Sequence, residues 1–320
     1  MLLAVFGGMF VALLLGVPIA ASIGYSALAF IPWIPGGLDR VMFFVAQRMV
    51  VTADSFTLLA LPFFILAGTL MSHGGIAKKL TDLAEAVAGD FPGGLGIAGI
   101  VACMFFGAVS GSGPATVAAI GTIIIPAMID RGYDVGYSAG LMACAGGIGV
   151  LIPPSVPMIV YGVNSGVSIT DLFIAGFTPG VIVGLVLMIP TIYIAKKKGY
   201  AGAPRAGGAG WIFGRMWEAR SALLMPIIIL GGIYSGVFTP TEAGIVAVTY
   251  AILLGFFTKG LSWSGLCKAV VEAAIITGSC IFLMGTASAF AKLLHMRDVP
   301  NMISNLIFGE CSWIPFRIPS

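Results

Sequence analysis

Charge is what this 320-residue chain has least of: Asp, Glu, Lys and Arg together make up 9% of it, against about 25% in soluble domains. That scarcity excludes an ordinary soluble fold. Histidine occurs twice, and His73 and His295 stand beside Lys or Arg at the ends of apolar runs, where an interfacial position is expected rather than a metal site. Five cysteines are present. Cys103, Cys144, Cys267 and Cys280 lie in apolar surroundings without CxxC spacing, so they read as small buried hydrophobes. No HExxH, no paired acids within an apolar run and no Ser–His arrangement is present, which leaves an enzyme without support. The net charge of +3 is local, because Lys196, Lys197, Lys198, Arg205, Arg215 and Arg220 cluster between two hydrophobic blocks. A nucleic-acid surface is a poor reading of a cluster so short and Gly-rich.

What is present is apolar length. Hydrophobic residues make up 59% of the chain, with a mean hydropathy of +1.07. Uncharged stretches at 1–38, 91–129, 135–170, 172–195, 221–241 and 273–291 each approach or exceed the roughly 20 residues a span needs. A polytopic all-α membrane protein in a lipid bilayer follows, and no cleavable signal peptide is expected, since the N-terminus lacks a charged n-region. The positive-inside rule puts the 196–220 segment in the cytoplasm. Ser168–Asp171 has capping-box spacing and starts a helix running in to Lys196. Asp90 at one end of 91–129, and Asp130 with Arg131 at the other, put both ends of that block in the cytoplasm. Between His73 and Asp90, Ile76, Leu80, Leu83 and Val87 share one helical face with charges opposite, the pattern of an amphipathic helix on the membrane surface.

Glu242 invites two readings. It is either an intramembrane functional acid or the N3 residue of a capping box opened by Thr239 and Pro240, and the spacing favours the cap. Glycine supplies 45 residues, about twice its usual share, many inside the apolar blocks where small residues let membrane helices approach closely.

Two apolar blocks are interrupted. The first break, Ser110-Gly-Ser-Gly-Pro114, is either a tight turn between two full spans or the tip of a re-entrant hairpin. Only eleven residues run from Ala115 to the next proline, Pro126, and that shortness favours the hairpin. The second break, Ala145-Gly-Gly-Ile-Gly-Val-Leu-Ile-Pro-Pro-Ser155, removes two N–H donors and so deprives carbonyls one turn earlier of their partners. Unwound backbone at membrane depth is tolerated only where it is buried or lines a cavity, and paired interruptions point to a secondary-transporter site. Carbonyls at Gly149 and Ile152, with the Ser110 and Ser112 hydroxyls, have the chemistry to replace the water shell of Na⁺. N–H groups at the helix start near Pro114–Thr116 suit a carboxylate. No basic residue lies in either stretch.

GAVSGSGPATVAAIGTIIIPAM, AGGIGVLIPPSVPMIVYG and GVFTPTEAG together resemble the large membrane subunit of the TRAP (tripartite ATP-independent periplasmic) transporters, the C4-dicarboxylate-type large permease, over residues 1 to about 309. The resemblance implies an inverted-repeat elevator-type fold in the bacterial inner membrane. Each repeat carries a re-entrant hairpin and a discontinuous helix, and Na⁺-coupled import of an organic acid needs no cofactor beyond the coupling ion. It implies two partners, a small four-helix membrane subunit and a periplasmic substrate-binding protein. The Na⁺ site is implied at Ser110, Ser112, Gly113, Gly149, Ile152 and Pro154. Substrate contacts are expected at Gly111, Pro114, Ala115, Thr116 and Ser155.

On this reading 1–198 is the first repeat, with an amphipathic arm at 75–90, a hairpin at 91–129, a broken helix at 134–164 and a span at 171–195. Residues 199–220 form a cytoplasmic basic loop, 221–309 begin the second repeat, and 310–320 are an atypical tail. Gly285-Thr286 echoes Gly68-Thr69 and precedes a second amphipathic stretch ending at Gly309. No second SGSGPAT-like or IPPS-like element follows, so the second repeat is expected to be incomplete and the chain truncated. The alternatives are a non-transporting membrane fragment or another Na⁺–carboxylate symporter with hairpin architecture.

Overall fold

The computed structural model describes residues 2–29, 37–88, 91–200, 202 and 209–302. The described residues are helical, without a strand. In chain order the helices are α1 (Leu2–Leu14), α2 (Ile19–Leu28), α3 (Gly37–Ala53), α4 (Ala60–His73), α5 (Ile76–Ala88), α6 (Gly94–Ser110) and α7 (Gly113–Asp130). There follow α8 (Val135–Gly147), α9 (Val156–Ser165), α10 (Ile169–Lys198), α11 (Ala209–Tyr234), α12 (Pro240–Phe257) and α13 (Trp263–Met296). Six helical stretches among the described residues are long and apolar enough to cross a membrane, as the composition requires. The chain divides into two compact units, residues 1–55 with 278–320, and residues 56–277.

In the first unit the uncharged run at 1–38 is not one span. Gly16 adopts φ +81° after α1, and Pro18 precedes α2. A left-handed glycine followed by a residue without an N–H stops one helix and starts another. At 13 and 10 residues, neither helix reaches across about 30 Å of hydrocarbon. Their core is Val5, Ala27, Phe290 and Leu293, with Phe6 set edge-on to Phe290 at 6.0 Å.

The second unit is built around α4, whose Leu61, Phe64, Leu70 and Met71 are buried. Small residues set the helix spacing: a Cβ on Gly244 of α12 would lie 2.8 Å from the Phe63 Cβ, and one on Gly68 2.8 Å from the Ser110 Cα. In a bilayer such close packing does the work that apolar burial does in water. The membrane-length stretch Phe56–His73, which is α4 with the 3-10 turn before it, is not among the apolar blocks read from the sequence, because His73 and Asp54 leave it a shorter uncharged run than the others.

Three expectations change here. Helix α5 forms over 76–88, but its apolar face packs on α6 and α11 rather than on lipid. Ile76, Leu80 and Leu83 are buried, whereas Val87 is 54% exposed and falls off that face. The buried stripe is completed by Ala77, Thr81 and Ala84, so bulky and small residues share the inward face. The segment expected as a loop at 199–220 is helical from Ala209 onward. Arg205 lies outside the described residues. Finally, α13 runs unbroken through Gly285-Thr286 to Met296, so no separate amphipathic helix starts at 287. Residues 303–320, including the atypical tail, lie outside the described residues. Among the described cysteines only Cys103 is buried, Cys280 is half-buried, and Cys144 and Cys267 are exposed on the helix surfaces.

Ion pairs gather at one end of the second unit. Glu85 of α5 pairs with Arg131 at the hairpin base, and Asp82 lies 3.8 Å from Arg215 of α11. Burial holds the Asp82 carboxyl above the usual carboxylate range, with Arg215 pulling it back down. Tyr133 stacks on Tyr200 at 4.1 Å, and the Asp134 N–H donates to the Tyr200 hydroxyl. The base of the hairpin and the Lys-rich end of α10 therefore share a side, as the charge pattern predicts.

Candidate functional site

The hairpin tip is set by three consecutive residues. Ser110 ends α6, Gly111 takes φ +61°, and Ser112 is extended and caps α7, accepting from the Ala115 N–H at 3.5 Å. Pro114 follows in the first turn, where its missing N–H has no partner to lose. Helix α7 carries Pro126 within it and reaches Asp130, so the descending arm is 18 residues long rather than the eleven expected. The tip nevertheless stops part-way along its neighbour. At the base, a Cβ on Gly93 would lie 2.9 Å from the Ala195 Cβ near the end of α10. At the tip level, Ile152 packs on Gly180, eleven residues in from the start of α10. That leaves about 17 Å of α10 beyond the tip.

The broken helix leaves buried carbonyls without donors. Helix α8 ends at Gly147, one 3-10 turn covers Ile148–Val150, and α9 begins at Val156. A helix continued through this stretch would bond the N–H of residue 153 to the carbonyl of Gly149, and that of residue 154 to Val150. Both donors are absent because both residues are proline. The Ser155 hydroxyl recaptures the Val150 carbonyl at 2.7 Å and also caps α9. Among the described residues nothing donates to the carbonyls of Gly149, Ile152 or Pro154. Those are the three break positions to which the resemblance assigned a cation.

Tip and break interlock through glycines. The Val156 N–H donates to the Gly111 carbonyl at 3.0 Å. A Cβ on Gly111 would lie 2.5 Å from the Pro154 oxygen, one on Gly107 2.5 Å from the Gly149 Cα, and one on Gly149 2.5 Å from the Thr116 Oγ1. Real Cβ contacts do not come so close, so this interface requires bare backbone on both sides. Behind the tip, Thr116 donates to the Ser112 carbonyl at 2.8 Å and lies 3.0 Å from the Ser110 Oγ.

The structure thus brings Ser110, Ser112, Gly113, Gly149, Ile152 and Pro154 into one neighbourhood. Of the expected substrate contacts, Pro114 is exposed and Ala115 half-buried. Thr116 and Ser155 are fully enclosed at 0% exposure, on the tip–break side. The Thr116 N–H is spent on the Ser112 carbonyl at 3.0 Å, so the start of α7 offers fewer free donors than the sequence suggested. Gly68 and Gly107 were not singled out as site residues. Their signal, a glycine in an apolar helix, is shared by too many of the 45 glycines to distinguish them. Glu242 closes a complete capping box, its Oε2 accepting from the Thr239 N–H at 2.8 Å while the Thr239 hydroxyl accepts from the Glu242 N–H at 3.3 Å. That position accounts for the residue as a cap.

Fold and site together define an all-α polytopic membrane protein in which a hairpin tip meets a discontinuous helix inside the bundle. Residues 6–315 match the family described as the DctM component of the tripartite ATP-independent periplasmic transporters, and the chain belongs to that family. The match extends beyond Gly309, where the resemblance had been expected to end.

The chain is 44% identical over 305 residues to the isethionate TRAP transporter permease protein DctMQ of Oleidesulfovibrio alaskensis, covering 95% of this chain and 48% of that protein. It is 40% identical over 273 residues to the C4-dicarboxylate TRAP transporter large permease protein DctM of Pseudomonas aeruginosa, covering 84% of this chain and 64% of that one. It is 40% identical over 261 residues to the sialic acid TRAP transporter permease protein SiaT of Haemophilus influenzae, covering 81% and 42%. The chain therefore spans between about two fifths and two thirds of the length of these relatives.

Proposed function

We propose that this chain supplies the ion-coupling half of a Na⁺-driven importer of organic acids that works by an elevator movement. The observation that carries the reading is the orphaned Gly149 carbonyl beside the Ser110–Ser112 tip. Carbonyls of Gly149, Ile152 and Pro154 with the two serine hydroxyls form an all-oxygen donor set, the kind that suits a hard monovalent cation. Gly113 lies at the same tip, its Cβ position 3.3 Å from the Gly146 carbonyl.

The substrate anion would meet Gly111, Pro114 and Ala115, at the positive end of the α7 dipole, with Thr116 and Ser155 supporting from behind. No arginine or lysine is within the tip or the break, so bound Na⁺ would offset part of the anion's charge, which couples the two. The relatives' names cover isethionate, C4-dicarboxylates and sialic acid, and a small organic acid is the corresponding cargo here. A first repeat over 1–198, a second begun at 221–309, a small four-helix membrane subunit and a periplasmic binding protein complete the arrangement.

The test is uptake into vesicles carrying the permease with its small subunit and binding protein. Uptake should require an inward Na⁺ gradient, and Ser112→Ala and Gly149→Val should each raise the Na⁺ concentration for half-maximal rate. Uptake indifferent to the Na⁺ gradient would overturn the coupling.

A further inference from the structure

Behind the tip, the hydrogen-bond directions are fixed by elimination. A hydroxyl has one proton to donate. The Thr116 Oγ1 lies 2.8 Å from the Ser112 carbonyl, which accepts only, so the Thr116 proton is committed there. The 3.0 Å contact between the Thr116 and Ser110 hydroxyls must then be carried by the Ser110 proton. Ser110 is left as an acceptor. Its remaining protein neighbours, the Ser112 N–H and the Ser112 carbonyl, are both 3.5 Å away, beyond the usual range for such bonds. Thr116 is completely buried and Ser110 is 2% exposed, so water from outside does not compete for either proton.

We infer that Thr116 is a positioning residue that turns the Ser110 oxygen into an obligate acceptor for the cation. It touches no ion itself. By taking the Ser110 proton it keeps that proton from pointing towards the proposed ion, where it would oppose a positive charge and bond the same oxygens the ion needs. Gly149 permits the arrangement, because a side chain there would occupy the space of the Thr116 hydroxyl. The inference rests on the Na⁺ reading above and adds to it a residue acting from behind the tip.

The test is a calorimetric Na⁺ titration of the full 320-residue chain in nanodiscs at constant ionic strength with choline. Wild type is compared with Thr116→Val, Thr116→Ala and Thr116→Ser. Losing one oriented hydrogen bond of this kind should weaken Na⁺ binding about five- to tenfold in the valine and alanine variants. Serine, which keeps the hydroxyl, should restore it. In a Ser110→Ala background Thr116→Val should have little further effect, because the two act through one oxygen. The alanine variant keeps the test open if valine disturbs folding, and helical circular dichroism decides which proteins are folded. Equal Na⁺ affinity in wild type and folded Thr116→Ala overturns the positioning role alone. So does equal weakening by Thr116→Ser, which would mark a packing role. A folded wild type that binds no Na⁺ overturns the cation reading itself, and the positioning role with it.

Discussion

Replacing Gly107 with alanine adds one methyl group at the closest backbone approach between hairpin and broken helix. Two effects oppose each other. In a helix interior alanine is favoured over glycine by about 1 kcal/mol. Against that, the new Cβ would lie 2.5 Å from the Gly149 Cα, roughly 1 Å inside an ordinary carbon contact. The obstacle is backbone, which cannot rotate away as a side chain would. The two elements are also tied by the Val156–Gly111 hydrogen bond at 3.0 Å. Overpacking of this kind costs about 1–3 kcal/mol, so the clash wins, with a net loss of up to about 2 kcal/mol. Gly140→Ala on α8 is the control, since a Cβ there meets nothing within 4 Å and only the propensity gain remains. Thermal unfolding of the two proteins in the same detergent, followed by circular dichroism, should place Gly107→Ala below wild type and Gly140→Ala at or above it. If Gly107→Ala proved as stable as Gly140→Ala, the tip and break would not touch as described.

Gly111→Ala should be more damaging than Gly166→Ala: both glycines have positive φ, +61° and +70°, but only Gly111 also faces a carbonyl at 2.5 Å, and parallel melting curves resolve the difference. Glu242→Ala should lower stability slightly through the lost half of the capping box and leave the Na⁺ response unchanged. A lost Na⁺ response in that variant would return Glu242 to the list of functional acids. Asp82→Asn should be neutral or slightly stabilising at pH 7, because burial raises the Asp82 pKa and so makes its ionised form a cost to the fold. The folded chain holds that proton more tightly than the unfolded one, so wild type should gain on the variant as pH falls from 7 towards the ordinary carboxylate range. Wild type losing ground to the variant on acidification would refute this sign.

Much of the site is legible as pattern. SGSGPAT and GGIGVLIPPS announce breaks because proline and glycine act on the backbone they occupy, independently of neighbours. Charge placement announces which ends share a side, since ion pairs and basic clusters sit outside the hydrocarbon. Helix caps at Ser168 and Thr239 are equally local, and each forms. Ser112 caps α7 as well, a role that its sequence reading as an ion ligand does not include. Longer-range consequences were less legible. Arm α5 reads as amphipathic, but whether its apolar face meets lipid or protein depends on partners far along the chain. Pro126 reads as a helix end, yet α7 passes through it.

The sequence by itself determined that this is a membrane protein, where its helices break, and which carbonyls lose their donors, because missing charges and missing N–H groups are properties of single residues. Only the tertiary structure decided that the Ser155 hydroxyl reclaims the Val150 carbonyl while Gly149 stays free. It alone placed Gly107 and Gly149 in backbone contact and enclosed Thr116 behind the tip. The first turns on which way the Ser155 side chain points within the break, and the others on how two segments meet across some forty residues of chain, a distance over which spacing in sequence carries no geometry.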